Sequence, residues 1–332
     1  MTLLENTDRG LYCAAGDFYI DPWRAVDFAI VTHAHSDHAR AGSRHYLCAA
    51  PGREILQARL GADAVIQAIP YGETLTRNGV HVSLHPAGHI LGSAQVRVEA
   101  RGEIWVVSGD YKTAPEKTCA PFEAIRCHSF VTECTFGLPI YRWRPQAEIF
   151  SEINSWWREN QNLGRTSVIF AYSLGKSKRV LSGVDASLGP IFVHGSAAKF
   201  LPLYANAGIT LPAVTRVDST TIRAAAGRGL VIAPASTDGS PWLRKFGIAS
   251  RALASGWMQI RGARRRRALD RGFVLSDHAD WEGLLAAISA TGAQRIWATH
   301  GYTAPLVRWL RERGRQAEAL ATQFEGEATE TE

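Results

Sequence analysis

The stretch "VDFAIVTHAHSDH" (26–38) constrains this chain more than any other: a nearly continuous apolar run stops at Thr32, and the six residues after it hold three histidines and an aspartate. The run reads as a buried strand. Imidazole nitrogens and carboxylate oxygens are the ligands a borderline cation such as Zn²⁺ prefers. Side chains two apart on a tight loop can converge on one ion, as His33 and His35 do in this reading. Asp37 and His38 are offset enough to serve a second. The alternative, a polar loop rich in histidine by chance, is hard to reconcile with the ordered His-x-His-x-Asp-His spacing.

The Ser-Asp-His triplet of that loop returns once, in "VLSDHAD" (274–280). No fixed-period repeat accompanies it and its surroundings are dissimilar, so an internal repeat is excluded. His38 and His278 therefore need separate explanations.

Composition sets the remaining bounds. A chain of 332 residues buries a sizeable core and suggests two domains or one large one. Hydrophobic residues make up 46% and charged residues 20%, ordinary for a globular protein. No apolar run reaches membrane-spanning length, and "MTLLENTDRG" has neither a charged n-region nor an h-region, so a cytoplasmic protein without a membrane segment is expected. The five cysteines form no Cys-x-x-Cys pair, which argues against a disulfide framework or a zinc ribbon. A net charge of +6 favours polyanionic partners, nucleic acid first among them.

The first 140 residues read as short strands separated by polar turns. "VHVSL" (80–84) and "AQVRV" (94–98) alternate as half-buried strands do, "EIWVVS" (103–108) runs into Gly109-Asp110, and "SFVTE" (129–133) ends on an acid. "PGREILQARLG" (51–61) has Pro near a first helical turn and Gly as a stop. From about 141 the pattern changes. "PQAEIFSEINSWWREN" (145–160) places Ile149, Phe150, Ile153, Trp156 and Trp157 on one helical face. Strands "SVIFA", "IFVH" and "LVIAPA" then alternate with helical segments, which predicts a separate α/β layer with a parallel sheet. After a basic cluster (261–272), "GFVLS" (272–276), a helix from about 281, "RIWAT" (295–299) and a terminal helix resume the pattern of the first section.

His-x-His-x-Asp-His after an apolar strand resembles the signature of the metallo-β-lactamase superfamily, and further motifs of that family follow in order. Asp21 in "YIDPW" matches the first, an acid that supports the ligands, with Asp17 as competitor and a plain turn role open to either. His89 in "PAGHILGSAQV" matches the third, where Gly88 and Gly92 are expected to let backbone approach the ion. Asp110 in "VVSGDY" matches the fourth, whose carboxylate bridges two metals in dinuclear members. His81 and His85 are read as strand or loop histidines.

The next matching ligand, His300 in "ATHGY", lies 190 positions beyond Asp110, so an inserted module is expected between them. That arrangement is similar to the β-CASP branch, nucleases acting on DNA or RNA. Glu133 in "VTECTFG", His278 in "VLSDHAD" and His300 match the branch's three additional motifs. "FAYSLGKSKRVL" (170–181) resembles the segment opening the family's inserted domain. The resemblance implies a metallo-β-lactamase αββα sandwich (1–140 and 272–332) with an inserted β-CASP α/β domain (141–271).

"SLGKS" ends like a phosphate-binding P-loop, but that motif requires Gly at 170, where Phe170 stands. Lys176, Ser177, Lys178 and Arg179 read either as contacts to a nucleic-acid backbone or as a solvated helix face, and Arg264–Arg267 has the same two readings. Trp143, between two arginines, can stack a base or pack at a domain junction.

The resemblance implies two divalent ions, Zn²⁺ or Mn²⁺: one held by His33, His35, His89 and Asp110, the other by Asp37, His38, Asp110 and His300. His278 is expected outside the metal shell as the acid that protonates the leaving oxygen, with Glu133 holding its other ring nitrogen. A histidine at 300 is similar to RNA-processing members. The compact length and the phrases "AGDFYIDP", "THAHSDHARAGS" and "SDHADW" most resemble bacterial ligase-associated DNA exonucleases, which implies DNA repair beside an ATP-dependent DNA ligase and a helicase. An RNA-processing nuclease is the first alternative, an ester or thioester hydrolase of the superfamily the second. A non-catalytic binding subunit would be expected to have lost ligands, and none is missing.

Overall fold

The computed structural model describes residues 2–260, 262 and 269–322. These residues form two compact units, one of 2–142 and 278–322, the other of 143–277.

The first unit is built on two mixed sheets. The smaller runs in sequence order through β1 (Glu5–Thr7), β2 (Gly10–Cys13), β3 (Phe18–Ile20), β4 (Phe28–Ile30), β5 (His45–Ala49) and β6 (Ile66–Ile69), antiparallel as far as β3 and parallel beyond. The larger contains β7 (Thr74–Arg77), β8 (Val80–Pro86), β9 (Ala94–Ala100), β10 (Glu103–Val107) and β11 (Ser129–Cys134), continued by β17 (Arg295–Gly301) and β18 (Gln316–Ala319). Strands β7 to β10 pair antiparallel; β10, β11, β17 and β18 pair parallel, which brings their carboxyl ends to one edge.

Alternation decides which residues meet. Phe18, Ile20, Phe28, Ile30 and Leu47 of the smaller sheet bury against Val82, Leu84, Val96, Val98, Trp105 and Val107 of the larger. The larger sheet's other face takes Val106 and Phe130, which pack with Leu284 and Ile288 of helix Trp281–Thr291 and with Leu306 and Leu310 of helix Thr303–Arg311. Each such side chain, fully buried, contributes about 1.5–3 kcal/mol. Asp280 caps the first of these helices by accepting from Gly283 N–H at 2.9 Å.

The second unit holds a five-stranded sheet, parallel throughout, in the order β13 (Ile191–Val193), β14 (Leu230–Ala233), β12 (Thr166–Phe170), β15 (Ala249–Ala254), β16 (Arg271–Phe273). Helix Gln146–Asn162 packs Ile149, Ile153, Trp156 and Trp157 against Ile169 and Ile232. Val168 and Phe170 point the other way, toward Leu243 and Phe246. Both faces are covered, as a parallel sheet requires. One expectation changes here. The strand at 271–273 does not resume the first section: it pairs with β15 and completes this second sheet. Among the described residues, no helix is long and apolar enough to cross a membrane.

Candidate metal centre

The histidine-rich loop leaves β4 at its carboxyl end. His38 N–H and Ala39 N–H both return to the His35 carbonyl, at 3.2 and 2.8 Å, which curls residues 35–39 into a turn. Ala94 N–H donates to the Thr32 carbonyl at 2.8 Å and ties the β8–β9 connection, with His89, to the same place. Ser93 Oγ accepts from His89 N–H at 3.1 Å and from Ile90 N–H at 3.2 Å. Asp110 follows the end of β10, and Gly109 before it has φ +55. A Cβ at Gly109 would lie 2.7 Å from Thr32 Cβ and Oγ1, so the two segments meet only because this residue is glycine.

Four buried side chains, His33, His35, His89 and Asp110, present ligand atoms to one point. His35 Nδ1 lies 3.1 Å from both His33 Nε2 and His89 Nε2. Asp110 Oδ2 lies 3.4 Å from His33 Nε2 and 3.7 Å from His89 Nε2. Ligand bonds of about 2.0–2.1 Å to a tetrahedral ion put neighbouring ligand atoms about 3.3 Å apart, so the donor set fits Zn²⁺. Three imidazole nitrogens facing one another are otherwise a poor arrangement, since each pair needs a proton to share.

A second set adjoins it. His38 Nε2 is buried and has no hydrogen-bond partner among the described residues; it lies 3.6 Å from Asp37 Oδ2 and 3.5 Å from Asp110 Oδ1. The His300 ring centroid is 5.3 Å from that of His38. A buried orphan nitrogen facing two carboxylate oxygens suits a cation. Asp110 thus turns one oxygen to each set.

The proton positions follow from hydrogen bonds to groups that can only accept. Asp21 Oδ2 lies 2.7 Å from His38 Nδ1 and takes its N–H, leaving the Nε2 lone pair for a metal. Asp21 also accepts from Thr32 N–H (2.8 Å) and from the Thr32 hydroxyl (2.6 Å). With its proton given to Asp21, Thr32 Oγ1 accepts from His33 Nδ1 at 3.1 Å, which again leaves Nε2 as the ligand atom. Burial opposes charge throughout, but the charges of Asp110, Asp37 and Asp21 hold the His38 imidazole well above its ordinary pKa. Against the same burial, the His38 charge and then the neighbouring His33 hold Asp110 well below the carboxylate range. Burial, then the nearby His278 and His33, push His89 well down. Burial and then His38 lower His300.

His278 differs from these. Its Nδ1 lies 2.8 Å from Glu133 Oε1, with both side chains buried. Glu133 also accepts Tyr111 N–H on Oε1 and Thr135 N–H on Oε2, each at 3.1 Å. Asp110, Glu133 and His278 come close enough together to suggest a third ligand group. The three donors already bound to Glu133 assign that carboxylate to orienting His278 instead. The His278 ring sits 4.7 Å from that of His89.

Asp17 accepts from the Tyr12 hydroxyl at 2.9 Å in its own turn, so Asp21 is the acid that meets the cluster. His81 pairs with Thr76 and His85 with Ser83 and Glu123. A Cβ at Gly88 would strike the Lys112 carbonyl, and one at Gly92 the Gly52 backbone, so both glycines allow close approach of neighbouring backbone. Lys176, Ser177, Lys178 and Arg179 are corrected from a displayed basic helix face to a buried one. Arg179 Nη1 lies 2.9 Å from Asp277 Oδ1, Lys176 Nζ is 3.8 Å from Asp277 Oδ2, and Lys178 Nζ donates to the Ala197 carbonyl at 2.8 Å. Cations out of water need such partners, and these side chains turn inward to reach them. Arg264–Arg267 lies outside the described residues. The sequence reading missed Thr32 and Ser93, although a hydroxyl between the end of a strand and the first ligand is a usable signal.

No family model matches the chain. It is 33% identical over 315 residues to a protein named probable DNA ligase from Opitutus terrae, covering 94% of this chain and 30% of that protein. It is 25% identical over 147 residues to the endoribonuclease ysh-1 of Neurospora crassa, covering 43% of this chain and 16% of that protein. The chain therefore spans less than a third of the length of either relative. Among solved structures, a protein of unknown function from Enterococcus faecalis V583 is similar with a TM-score of 0.60 at 12% identity, covering 90% of this chain and 80% of that one. At that identity the likeness speaks for a mixed α/β fold alone. With the buried cluster of histidines and aspartate, the named relatives support the metallo-β-lactamase/β-CASP kinship that the motifs imply.

Proposed function

We propose that this protein is a β-CASP member of the metallo-β-lactamase superfamily and a nuclease that hydrolyses DNA phosphodiester bonds from a strand end. The observation that carries the reading is Asp110, whose Oδ2 faces the His33/His89 nitrogens and whose Oδ1 faces His38 Nε2, beside the Glu133–His278 pair. Two divalent ions, Zn²⁺ or Mn²⁺ for this nitrogen and oxygen set, supply a lowered water pKa and neutralise charge on the phosphoryl oxygens when bound.

The protein's own groups do the rest. His33 Nε2, His35 Nδ1, His89 Nε2 and Asp110 Oδ2 would hold one ion; Asp37, His38 Nε2, Asp110 Oδ1 and His300 would hold the other. Glu133 keeps the His278 proton on Nδ1 and fixes the ring plane, so Nε2 is the atom that passes a proton to the departing oxygen.

DNA is favoured over RNA because the relative that aligns with nearly the whole chain carries the name of a DNA ligase and extends well beyond the aligned segment. A strand-processing module joined to a ligase has an obvious use in repair, and association with an ATP-dependent DNA ligase and a helicase is part of this proposal. RNA remains the second reading, supported by the relative named endoribonuclease. Labelled single-stranded DNA and RNA of one sequence, incubated with added Zn²⁺ or Mn²⁺, decide between them. Cleavage of RNA alone overturns the DNA assignment. Substrates labelled at the 5′ or the 3′ end test exonuclease action, and internal cuts from the earliest time points would overturn it.

A further inference from the structure

We infer that Cys134 is a positioning residue for the ion held by His38 and His300: its thiol, bonded to the carbonyls on both sides of a β-bulge, fixes the turn of backbone that aims the His300 imidazole at His38. The inference rests on the reading of His300 as a metal ligand.

The bulge is written in the register of β11 against β17. Thr132 pairs with Ala298 and Glu133 with Thr299, but Cys134 pairs with Gly301, so His300 is an extra residue in its strand. Its φ is +50, a left-handed conformation that residues with a Cβ adopt rarely and that persists only where surroundings impose it. Gly301 follows at φ +81, and a Cβ there would lie 2.4 Å from Thr135 Cα and 2.5 Å from the Cys134 carbonyl. Tyr302 N–H closes the turn on that same Cys134 carbonyl at 3.0 Å.

In a regular strand, successive carbonyls point to opposite edges. Here the carbonyls of Thr299 and His300 both reach one sulfur: Cys134 Sγ lies 3.3 Å from the first and 2.9 Å from the second. An S–H can donate to either, and Cys134 is wholly buried, so no water replaces it. Without the donor, the Thr299 carbonyl and the half-buried His300 carbonyl lose the S–H they share, at the residue whose backbone is least comfortable. An independent feature points to a ligand at the same place: the buried His38 Nε2, without a hydrogen-bond partner among the described residues, on a ring 5.3 Å from that of His300. Regular pairing through position 300 would put the imidazole on the opposite face of β17, away from that nitrogen.

The test uses the metal-loaded full chain, titrated with a chelator, with ions remaining per protein read by elemental analysis. His300→Ala is expected to lose one ion at low chelator. Cys134→Ala and Cys134→Val, the latter filling the sulfur's space, are expected to lose one ion at about 10–100-fold lower chelator than wild type. Cys134→Ser, which keeps a donor, is expected to recover most of the difference. Wild-type retention in both Cys134→Ala and Cys134→Val, with His300→Ala losing its ion, overturns the role of Cys134 and leaves the ligand reading standing. Two ions retained in His300→Ala overturn the ligand reading itself. Equal losses in the serine and valine variants show that shape, not the hydrogen bond, matters, and overturn the inference as stated.

Discussion

Replacing Asp21 by asparagine should weaken binding of an ion at the second set without disturbing the backbone. Asp21 has φ +44, a conformation asparagine tolerates as well as aspartate, so the exchange alters one atom in place. The amide oxygen can keep the 2.8 Å bond from Thr32 N–H. The amide nitrogen then stands where Oδ2 was, facing the Thr32 hydroxyl and, at 2.7 Å, His38 Nδ1. An NH₂ can donate to Nδ1 only if the imidazole moves its proton to Nε2. There the proton finds Asp37 Oδ2 at 3.6 Å and Asp110 Oδ1 at 3.5 Å, so the wrong tautomer is comfortable and must be undone before a metal binds. The opposite amide orientation sets two donors against each other at Thr32 N–H. Loss of such an outer partner lowers metal affinity about 10–100-fold, or roughly 1.4–2.8 kcal/mol. Competitive chelator titration with elemental analysis should show one ion weakened by that factor and the His33/His35/His89 ion retained. An Asp21→Asn protein holding both ions at wild-type affinity would refute the tautomer argument.

Four further outcomes are expected. His278→Ala and Glu133→Gln should each keep both ions by elemental analysis, while turnover on a labelled strand falls by about 10²–10⁴, the range for losing a positioned acid; a variant short of one metal would make His278 a ligand. Gly109→Ala should destabilise the fold by about 1–3 kcal/mol in chemical denaturation, because a Cβ at φ +55 is strained and strikes Thr32; an unchanged midpoint would contradict the packing described. Metal affinity should rise with pH through the neutral range, because the raised His38 pKa leaves a proton on the ring that an ion must displace. Calorimetry in two buffers of different ionisation enthalpy should show about one proton released. In the metal-free protein the sign is opposite for folding. The raised His38 pKa stabilises below about pH 6.5 and ceases to do so as pH rises through its folded value. The depressed Asp110 and Asp37 stabilise above about pH 3.9 and lose that contribution as pH falls through theirs.

Much of the larger sheet was legible in the chain, because "VHVSL", "AQVRV" and "EIWVV" carry their burial pattern in period-2 alternation and long apolar stretches. Strands β1 to β3 were not, since these short segments between polar turns show barely one period. The strand at 271–273 carries no local mark of which sheet it joins; its partner β15 lies nearly twenty residues earlier and decides. Burial of the basic helix was equally hidden. "KSKR" has the composition of a solvated face, and Asp277, about a hundred residues away, together with the Ala197 carbonyl gives its charges a reason to turn inward.

The site divides along the same line. By itself the sequence determined the donor types and the crowding of His33, His35, Asp37 and His38 on one loop, because neighbours on a tight turn have no choice but to be close. Tertiary structure alone decided which nitrogen of His38 and of His33 is left to face the cluster, through Asp21 and Thr32. It also separated the two Ser-Asp-His triplets: His38 Nε2 faces carboxylate oxygens across a gap an ion would fill, whereas His278 Nδ1 is closed on Glu133. The same three letters sit in different surroundings because the atoms within hydrogen-bond reach differ, and for His278 those come from a strand 145 residues away.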